Sequence, residues 1–522
     1  MAETEHNVES ASRDLKTIMI VGAGLLQLPA IRTAKEMGLI TMVSDMNPNA
    51  IGMKYADIPV IVSTRDIDGT VRAARSYATH RRIDGVITVG TDASMTVAAV
   101  ANALGLPGNK FENAEAATNK IKMRRRFQEH NVPSPNFRAV WTLQEAFQAA
   151  DELAYWPLVM KPSDNMGARG VTRVDSRETV AEAFHRAKDA SPSGELIIEE
   201  FMDGPELSID ALIWGGEVQF FGIADRIIGF PPYFVELGHT MPSALPQEQI
   251  EDACDVMLRG IKALGLAIGA AKGDIKVTSK GAMIGEIAAR LSGGFMSSHT
   301  FPLSTGISSI RGAIEIALGE KPTEVEPKYD RVSAERAVFC EIGQVRQIEG
   351  ANVAKAAPGV ADVVVNIRPG DYVHAPTCNL DKPMNIITVA DSRDDAIRLN
   401  DEAQVLVNIQ IGKQVRLTHK ILRDNARKLF GLTCRACDVC DGLDCPTGVP
   451  GMGAIGTGAS FYANIQALNR YKVNVRSIHS VKEADPSCQL FGCTLSCPVM
   501  AAPLTGTNLN TVSYTHLTLP TN

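Results

Sequence analysis

The sequence predicts a multidomain α/β and α+β protein that opens with a Rossmann-like parallel α/β domain. Three observations point there. Short apolar strands alternate with helices from Thr17 to Thr91, strand-and-hairpin patterning takes over after Pro157, and clustered cysteines set the C-terminal region apart.

In the leading domain, Thr17–Val21, Leu39–Asp45, Ile58–Val62 and Gly85–Thr91 read as strands, with Leu26–Met37 and Ile67–His80 as helices between them. Alternation at this spacing builds a parallel sheet covered on both faces. The first turn runs from Gly22 through Gly24 to Gln27. A dinucleotide fingerprint places a third glycine where Gln27 stands, so a nucleotide-binding Rossmann domain is the weaker reading. Asp45 ends the second strand, where an acid either meets a ribose or is simply solvated.

After the turn at Gly105–Asn109, helices are expected through Lys120 and over Arg124–His130, stopping at Val132–Pro135. From Pro157 to Ile287 the pattern is an α+β module. Trp214–Glu217 reads as a hairpin turn, Gln247–Leu264 as an amphipathic helix, and Ser279–Gly281 as the link between two further strands. Ala334–Gly412 reads as another small α+β unit. The expected division is a polar tail at 1–16, the leading domain at 17–110, a central domain at 111–325, a small α+β domain at 326–412, a linker at 413–428, a cysteine-rich fragment at 429–511, and 512–522.

A chain of 522 residues has room for three or four domains with ample core. The net charge of −7 is spread along the chain, which argues against nucleic acid or an anionic membrane as partner. No stretch of 18 uninterrupted apolar residues offers a membrane span, and Met1–Lys16 lacks a signal-peptide h-region, so a cytoplasmic protein is expected. Cys254, Cys340 and Cys378 are expected to be small buried thiols.

Three segments carry chemistry. Lys161 follows an apolar strand and precedes a small-residue loop, Ser163–Gly170, with glycines at 167 and 170. Such a loop can fold over phosphates and offer backbone N–H groups, with the lysine as a point charge. In the second segment an apolar strand ends in Glu199 and Glu200, followed by Phe201, Met202, a Gly-Pro turn and Glu206. Adjacent residues of a strand face opposite ways, so one of the two acids can line a cleft, and Glu206 could accept from ribose hydroxyls. The third segment places Asp274 and Glu286 on two strands read as antiparallel neighbours. Two carboxylates then meet on one face without an intervening base, an arrangement favoured by a hard cation such as Mg²⁺. Arg290 and the turn Ser292, Gly293 and Gly294 follow, and could offer a guanidinium and backbone donors to a phosphoryl or acyl oxygen.

In order and spacing these pieces resemble the ATP-grasp superfamily, whose ligases include D-alanine–D-alanine ligase, biotin carboxylase and N5-carboxyaminoimidazole ribonucleotide synthetase. The resemblance runs from Thr17 to Gly412 through GAGLLQLPAIRTAKEMGL, TNK, VPSP, VMKPSDNMGARGV, IIEEFMDGPELSIDAL, GDIKV and GEIAARLSGG. It implies an ATP-grasp fold. It also implies that Lys120 and Lys161 hold the ATP phosphates under the Ser163–Gly170 loop, that Glu199, Glu200 and Met202 form the adenine hinge, and that Glu206 binds ribose. Asp274 and Glu286 become ligands for Mg²⁺ or Mn²⁺. One departure stands out: the family has asparagine two residues after that glutamate, where this chain has Ala288. The implied reaction joins a small carboxylate to an amine through an acyl phosphate and releases ADP. Arg290, Gly293 and Gly294 would stabilise developing charge, and Glu236 and His239 would face substrate. A homodimer is compatible with the resemblance.

Seven cysteines fall between Cys434 and Cys497, and Cys434, Cys437, Cys440 and Cys445 have spacing that can enclose an Fe–S cluster or Zn²⁺. The sequence around them resembles the N-terminal stretch of FMN-dependent α-hydroxy-acid dehydrogenases, which are TIM barrels. A barrel takes roughly 250 residues, so this is the incomplete start of one, and FMN is expected only in a longer parent protein. Residues 512–522 fit neither family and read as non-native sequence.

Overall fold

The computed structural model describes residues 15–412 and two short strands, Cys488–Leu490 and Cys493–Leu495, which pair antiparallel. The chain divides into two compact units between Lys413 and Gln414.

The leading domain contains β1 (Thr17–Val21), α1 (Leu28–Glu36), β2 (Ile40–Asp45), β3 (Ile58–Ile61), α2 (Ile67–Ala78) and β4 (Gly85–Ile87), followed by α3 (Ser94–Leu104). Its strands are parallel in the order β3-β2-β1-β4. The alternation of side chains along β1 decides the packing. Ile18 and Ile20 enter a core with Ala30 and Ile31 of α1, while Met19 and Val21 enter the opposite core with Ala74 of α2 and Val100 of α3.

The Gly22–Gln27 turn explains its missing third glycine. The Gln27 amide oxygen accepts from the Gly24 N–H at 3.0 Å, its amide nitrogen donates to the Val89 carbonyl, and Asp45 accepts from the Ala23 N–H at 3.0 Å. Backbone donors that a pyrophosphate would take are thus held by the protein's own side chains. Asp45 also accepts from Asn47, which makes it a turn-capping group.

Next come α4 (Phe111–Thr118), α5 (Lys120–Glu129), β5 (Phe137–Val140), α6 (Leu143–Leu153), β6 (Leu158–Pro162), β7 (Thr172–Val174), α7 (Val180–Ala190) and β8 (Leu196–Glu200). Here the strands form an antiparallel sheet ordered β5-β8-β6-β7, and α6 and α7 cover one face through Ala146, Ala150, Phe184 and Ala187.

The large sheet is built from β9 (Glu206–Trp214), β10 (Glu217–Gly229), β11 (Val235–Met241), β12 (Gly269–Thr278) and β13 (Gly281–Ala288). The β9–β10 turn is Gly215 and Gly216 with φ of +62° and +84°, the left-handed pair that a two-residue hairpin needs. The expected helix Gln247–Leu264 forms as α8 and packs Val256, Met257 and Ile261 against Ile275, Ile284 and Ile287. After α9 (Ser309–Ala317), β14 (Val332–Val338), β15 (Gly343–Glu349), β16 (Val360–Val365), β17 (Tyr372–Val373), β18 (Met384–Ala390), α10 (Arg393–Val405) and β19 (Asn408–Gly412) complete the unit. Strands β14, β18 and β16 extend the large sheet to eight, ordered β13-β12-β9-β10-β11-β14-β18-β16, so the segment after 326 shares a sheet with the one before it.

Two expectations change. The last strand of the leading sheet stops at Ile87, because the chain then crosses to pair Val89 with Leu291 and turns at Gly90, whose φ is +64°. Cys254, Cys340 and Cys378 are free thiols that are only partly buried. Among the described residues, no helix is long and apolar enough to cross a membrane.

Candidate active site

Strands β12 and β13 are antiparallel neighbours, as expected, and a one-residue register shift between Asp274 and Ile275 makes Asp274 the direct partner of Glu286. The expectation of no intervening base is wrong. Lys272, two residues before Asp274 on the same face, pairs with its carboxylate, and Arg226 of β10 reaches the same oxygen at 3.0 Å. Lys120 lies 3.2 Å from Glu286. Lys272 is a neighbour on the same strand as Asp274, whereas Lys120 comes from a helix and Arg226 from β10, which the register β12-β9-β10 brings there.

Charge sets the state of the pair. Burial raises the Glu286 carboxyl, but Lys120, Lys272, Lys161 and Arg290 outweigh it and hold the group at about 2. Two carboxylates in register on neighbouring strands, with Glu286 held ionised, are the ligand chemistry of Mg²⁺. Asp274 Oδ1 is buried and makes no hydrogen bond of good geometry, despite its two ion pairs.

Helix α5 delivers the first lysine. Asn119 caps the helix by accepting from the N–H groups of Ile121 and Lys122, which fixes Lys120 at the first position, where its ammonium also donates to the Asn165 carbonyl at 2.7 Å. One turn on, Arg124 is fully buried, donates to the Gly285 carbonyl at 2.6 Å and pairs with Glu199. Lys161, near the end of β6, pairs with the same glutamate. Glu199 therefore sits at 2% exposure between two cations, while Glu200 faces the other way and meets Lys280 at 2.8 Å. Burial raises the Glu199 carboxyl, yet Arg124 and Lys161 bring it below its ordinary value, and desolvation lowers the Lys161 ammonium. The Glu199 carboxylate is committed to this ion-pair network. The side chain of Met202 reaches the Gly285 backbone, since a Cβ there would lie 3.5 Å from Met202 Cε.

In the Ser163–Gly170 loop, Gly167 (φ +67°) has open space around it. At Gly170 (φ +72°) a Cβ would lie 2.6 Å from that of Ala190. The first glycine supplies conformational freedom and the second permits packing on α7. The Gly167 carbonyl accepts from the Asn379 N–H at 2.9 Å, and Asn379 Oδ1 accepts from the Glu236 N–H at 2.9 Å. Glu206 is held by Arg226 and by Lys276 at 3.4 Å.

Beyond β13, Arg290 is 8% exposed, and its Nε is buried without a hydrogen-bond partner. Asp210 of β9 accepts from both the N–H (2.9 Å) and the hydroxyl (2.7 Å) of Ser292, which fixes the start of the glycine turn. Gly294 has φ of +60°, and a Cβ there would lie 2.8 Å from Glu236 Oε1, so Glu236 faces this turn. A bulge between Ile227 and Ile228 in the β10–β11 register puts Glu236 and His239, three apart, on one face. Glu236 lies between Arg226 (2.9 Å) and Lys382 (3.1 Å). Burial raises its carboxyl, but those cations hold it far below the usual range. His239 is 3% exposed and occupied on both nitrogens, Nδ1 by Glu335 at 3.3 Å and Nε2 by the Thr300 hydroxyl at 2.6 Å. It is a buried network histidine.

Sequence reasoning missed Asp92. The Gly90 N–H donates to the Leu291 carbonyl at 3.3 Å and the Ser94 hydroxyl to the Ala289 carbonyl at 3.2 Å, so Asp92 lies between two links that flank Arg290. Burial raises its carboxyl, against Arg290 and Lys120. Its position just past a parallel strand, between β1 and β4 where the strand order reverses, was the available signal. Arg124, Arg226, Lys272 and Asp210 were also missed. Arg124 and Lys272 had local clues, the first four residues after Lys120 on the same helix face and the second two residues before Asp274 on the same strand face. Cys434, Cys437, Cys440 and Cys445 lie outside the described residues, as do the expected barrel start and 512–522.

The ATP-grasp domain family matches residues 154–299, the L-amino acid ligase C-terminal domain 2 family matches 337–412, and the FMN-dependent dehydrogenase family matches 452–515. Uncharacterized protein y4rH of Sinorhizobium fredii is 30% identical over 340 residues, covering 64% of this chain and 70% of that protein. The ATP-grasp enzyme fsqD of Aspergillus fumigatus is 26% identical over 241 residues, 42% of this chain and 41% of its own length. The chain thus spans less than half of that second relative. Among solved structures, an L-amino acid ligase from Bacillus licheniformis superposes with a TM-score of 0.66 at 24% identity, covering 76% of this chain and 99% of that one. The chain belongs to the ATP-grasp superfamily.

Proposed function

We propose that this protein is an ATP- and Mg²⁺-dependent ligase that joins a carboxylate to an amine through an acyl phosphate, with amino acids as substrates. The observation that carries the reading is the direct pairing of Asp274 with Glu286, with Lys120 beside them and Arg290 at the end of the same strand pair. A structural ion-pair cluster has no need of two carboxylates in register, whereas a nucleotide-bound metal does.

Lys120 and Lys161 provide positive charge for phosphate oxygens, and the Ser163–Gly170 loop covers them. Mg²⁺ held by Asp274 and Glu286 would neutralise phosphate charge as the γ-phosphoryl group moves. A substrate carboxylate oxygen attacks the γ-phosphorus and ADP leaves. The amine then attacks the acyl carbon, and phosphate departs as the C–N bond forms. Arg290 and the amides of Gly293 and Gly294 would stabilise the charge that develops on the acyl oxygen. The L-amino acid ligase domain match over 337–412 and the likeness to the Bacillus licheniformis enzyme favour amino acids over bicarbonate or a purine intermediate as the carboxylate. Glu236, facing Gly294, is the acid assigned to the substrate side, and His239 supports it from within.

The test is phosphate release from Mg²⁺-ATP by the full chain, with single amino acids, amino-acid pairs and other small carboxylates. Release that needs a carboxylate plus an amine, and is lost in Glu286→Gln, supports the ligase. Nucleotide binding without release under any pair would overturn it. The FMN-dependent dehydrogenase match at 452–515 carries a second reading, a ligase unit joined to part of a flavin oxidoreductase. Flavin bound by the full chain would support that.

A further inference from the structure

The Ser163–Gly170 loop joins β6 to β7 of the four-stranded sheet, and Glu236 lies on β11 of the eight-stranded one. A short segment, residues 377–382, holds both. Asp381 folds that segment, since its Oδ2 accepts from the Thr377 N–H at 2.8 Å, the Thr377 hydroxyl at 3.0 Å and the Cys378 N–H at 2.9 Å. The folded segment then reaches outward. The Thr377 carbonyl accepts from Arg186 of α7 at 3.0 Å. The Asn379 N–H donates to the Gly167 carbonyl, and Asn379 Oδ1 accepts from the Glu236 N–H, both at 2.9 Å. Lys382 is 7% exposed and pairs with Glu236 Oε1 at 3.1 Å. A Cβ at Gly167 would meet nothing nearer than Asn379 Cβ, at 3.9 Å, so hydrogen bonding rather than packing places the loop on that side.

We propose that Asn379 is a positioning residue that links closure of the glycine loop to the placement of Glu236, so that the nucleotide side and the substrate side of the cleft are set together. The inference rests on the assignment of the loop to ATP phosphates and of Glu236 to substrate. One hydrogen bond uses the backbone of Asn379 and the other its side chain, so a shift of Gly167 passes to the Glu236 backbone through a single residue. Lys382 belongs to the same short segment and holds the Glu236 carboxylate, so the backbone and the carboxylate move together. A Cβ added at Gly294 would lie 2.8 Å from Glu236 Oε1, so even a small shift of Glu236 changes the width of the acyl corner. Groups held about 1 Å out of place lose about 100-fold in rate. A loop that has not closed thus leaves the substrate acid out of register, which favours acyl transfer only once water is shut out. Such a link needs contacts that differ between the open and the closed loop, and the hydrogen bond to the Gly167 carbonyl supplies one.

Amide hydrogen exchange on the full chain, with and without Mg²⁺ and adenylyl imidodiphosphate, reads the link without turnover. The proposal expects nucleotide to slow exchange across 163–170 and also at the Glu236 amide, the latter by about 5-fold, the worth of one hydrogen bond. Asn379→Ala should keep the first response and lose the second, and Asn379→Asp, which retains the acceptor, should restore it. A nucleotide response across 163–170 in each variant reports that it is folded. A Glu236 amide indifferent to nucleotide in the unaltered chain would overturn the link while leaving the loop assignment standing. A 163–170 segment indifferent to bound nucleotide would overturn both. In turnover with amino acids, Asn379→Ala should raise KM for the amino acid about 5- to 10-fold, keep KM for ATP within about 2-fold, and release phosphate in excess of the amide bonds formed. Equal rises in both KM values, not restored by Asn379→Asp, would show a merely structural residue and overturn the proposal.

Discussion

Asp210 accepts two hydrogen bonds from one residue, the backbone N–H and the hydroxyl of Ser292, and is itself fully buried. That relationship ties strand β9 to the turn that carries Gly293 and Gly294. Asp210→Ala strands a buried N–H, at a cost of about 1–3 kcal/mol, and frees the turn. Turnover should fall about 10- to 100-fold, as for loss of a preorganised donor. ATP affinity should stay within a few-fold, since no phosphate-side lysine is touched. Equal losses in both would show that Asp210 only supports the fold.

Burial pushes the Asp210 carboxyl up to about 6 from an ordinary 3.8, against the pull of Ser292, Lys272 and Arg290. A folded value above the unfolded one means that the folded state binds more protons between the two. Its stabilising contribution is therefore complete below about pH 4 and disappears as pH rises through 6. Relative to Asp210→Asn, the unaltered protein should lose up to about 3 kcal/mol of unfolding free energy between pH 4 and 7. Urea denaturation at several pH values checks this, and parallel curves for the two proteins would refute it.

The cluster of Arg124, Glu199 and Lys161 gives a different expectation. Removing one partner leaves a buried charge unpaired, so Arg124→Met should destabilise by about 3–5 kcal/mol. It should also shift the pH dependence of ATP binding, because Lys161 would be left with Glu199 alone. Chemical denaturation measures the first effect and nucleotide titration the second. A loss below about 1 kcal/mol would mean that the cluster relaxes or hydrates more than its burial implies.

How far the site could be read from sequence follows from how its residues are placed. Asp274 and Glu286 sit on two strands joined by a short turn, so their neighbourhood is local, but counting from the turn pairs Asp274 with Gly285, and a register shift at Asp274/Ile275 brings Glu286 opposite it. Gln247–Leu264 and the Gly215–Gly216 turn are equally local. Arg226 could not be assigned that way. Its contact with Asp274 depends on β10, β9 and β12 lying side by side, a matter of sheet order that local pattern does not encode, whereas Lys272, two residues before Asp274 on the same strand face, was a local signal that went unread. The absence of a base between the acids was therefore misjudged. For Glu199 the alternation rule gave two opposite faces but not which one was buried; Arg124, on a distant helix, decided that. Glu236 and His239 share a face only because of a bulge, and strict alternation would have separated them.

Gly294 tests the turn directly. Its φ of +60° disfavours any Cβ, and an alanine Cβ would lie 2.8 Å from Glu236 Oε1. Gly294→Ala should therefore displace either the turn or Glu236, lowering turnover by at least about 10-fold at a stability cost of about 1 kcal/mol. Gly167→Ala meets no neighbour but Asn379, at 3.9 Å, and should cost only the backbone strain. The two alanine variants, assayed side by side for phosphate release and melting temperature, separate a close approach in the acyl region from simple loop freedom. Similar losses in both would show that left-handed backbone alone accounts for the glycines.

The acid pair itself has a pH signature. Burial alone would raise Glu286, but the surrounding lysines and Arg290 hold it at about 2. A depressed folded value gives a contribution present above the ordinary 4.5 and lost only as pH falls through about 2. Glu286 therefore stays ionised throughout any practical assay range, and an acid limb in kcat above pH 5 must come from another group. Asp210, pushed up to about 6 by burial, meets that description, and burial raises Asp92 as well. Glu286→Gln should abolish phosphate release at every pH, by at least about 100-fold, with the shape of any residual profile unchanged. If the substitution moved the acid limb instead, Glu286 would be the titrating group and the charge balance around it would be wrong. Repeating the profile with Asp210→Asn assigns the limb: its disappearance points to Asp210, and its persistence leaves Asp92, whose substitution by asparagine completes the comparison.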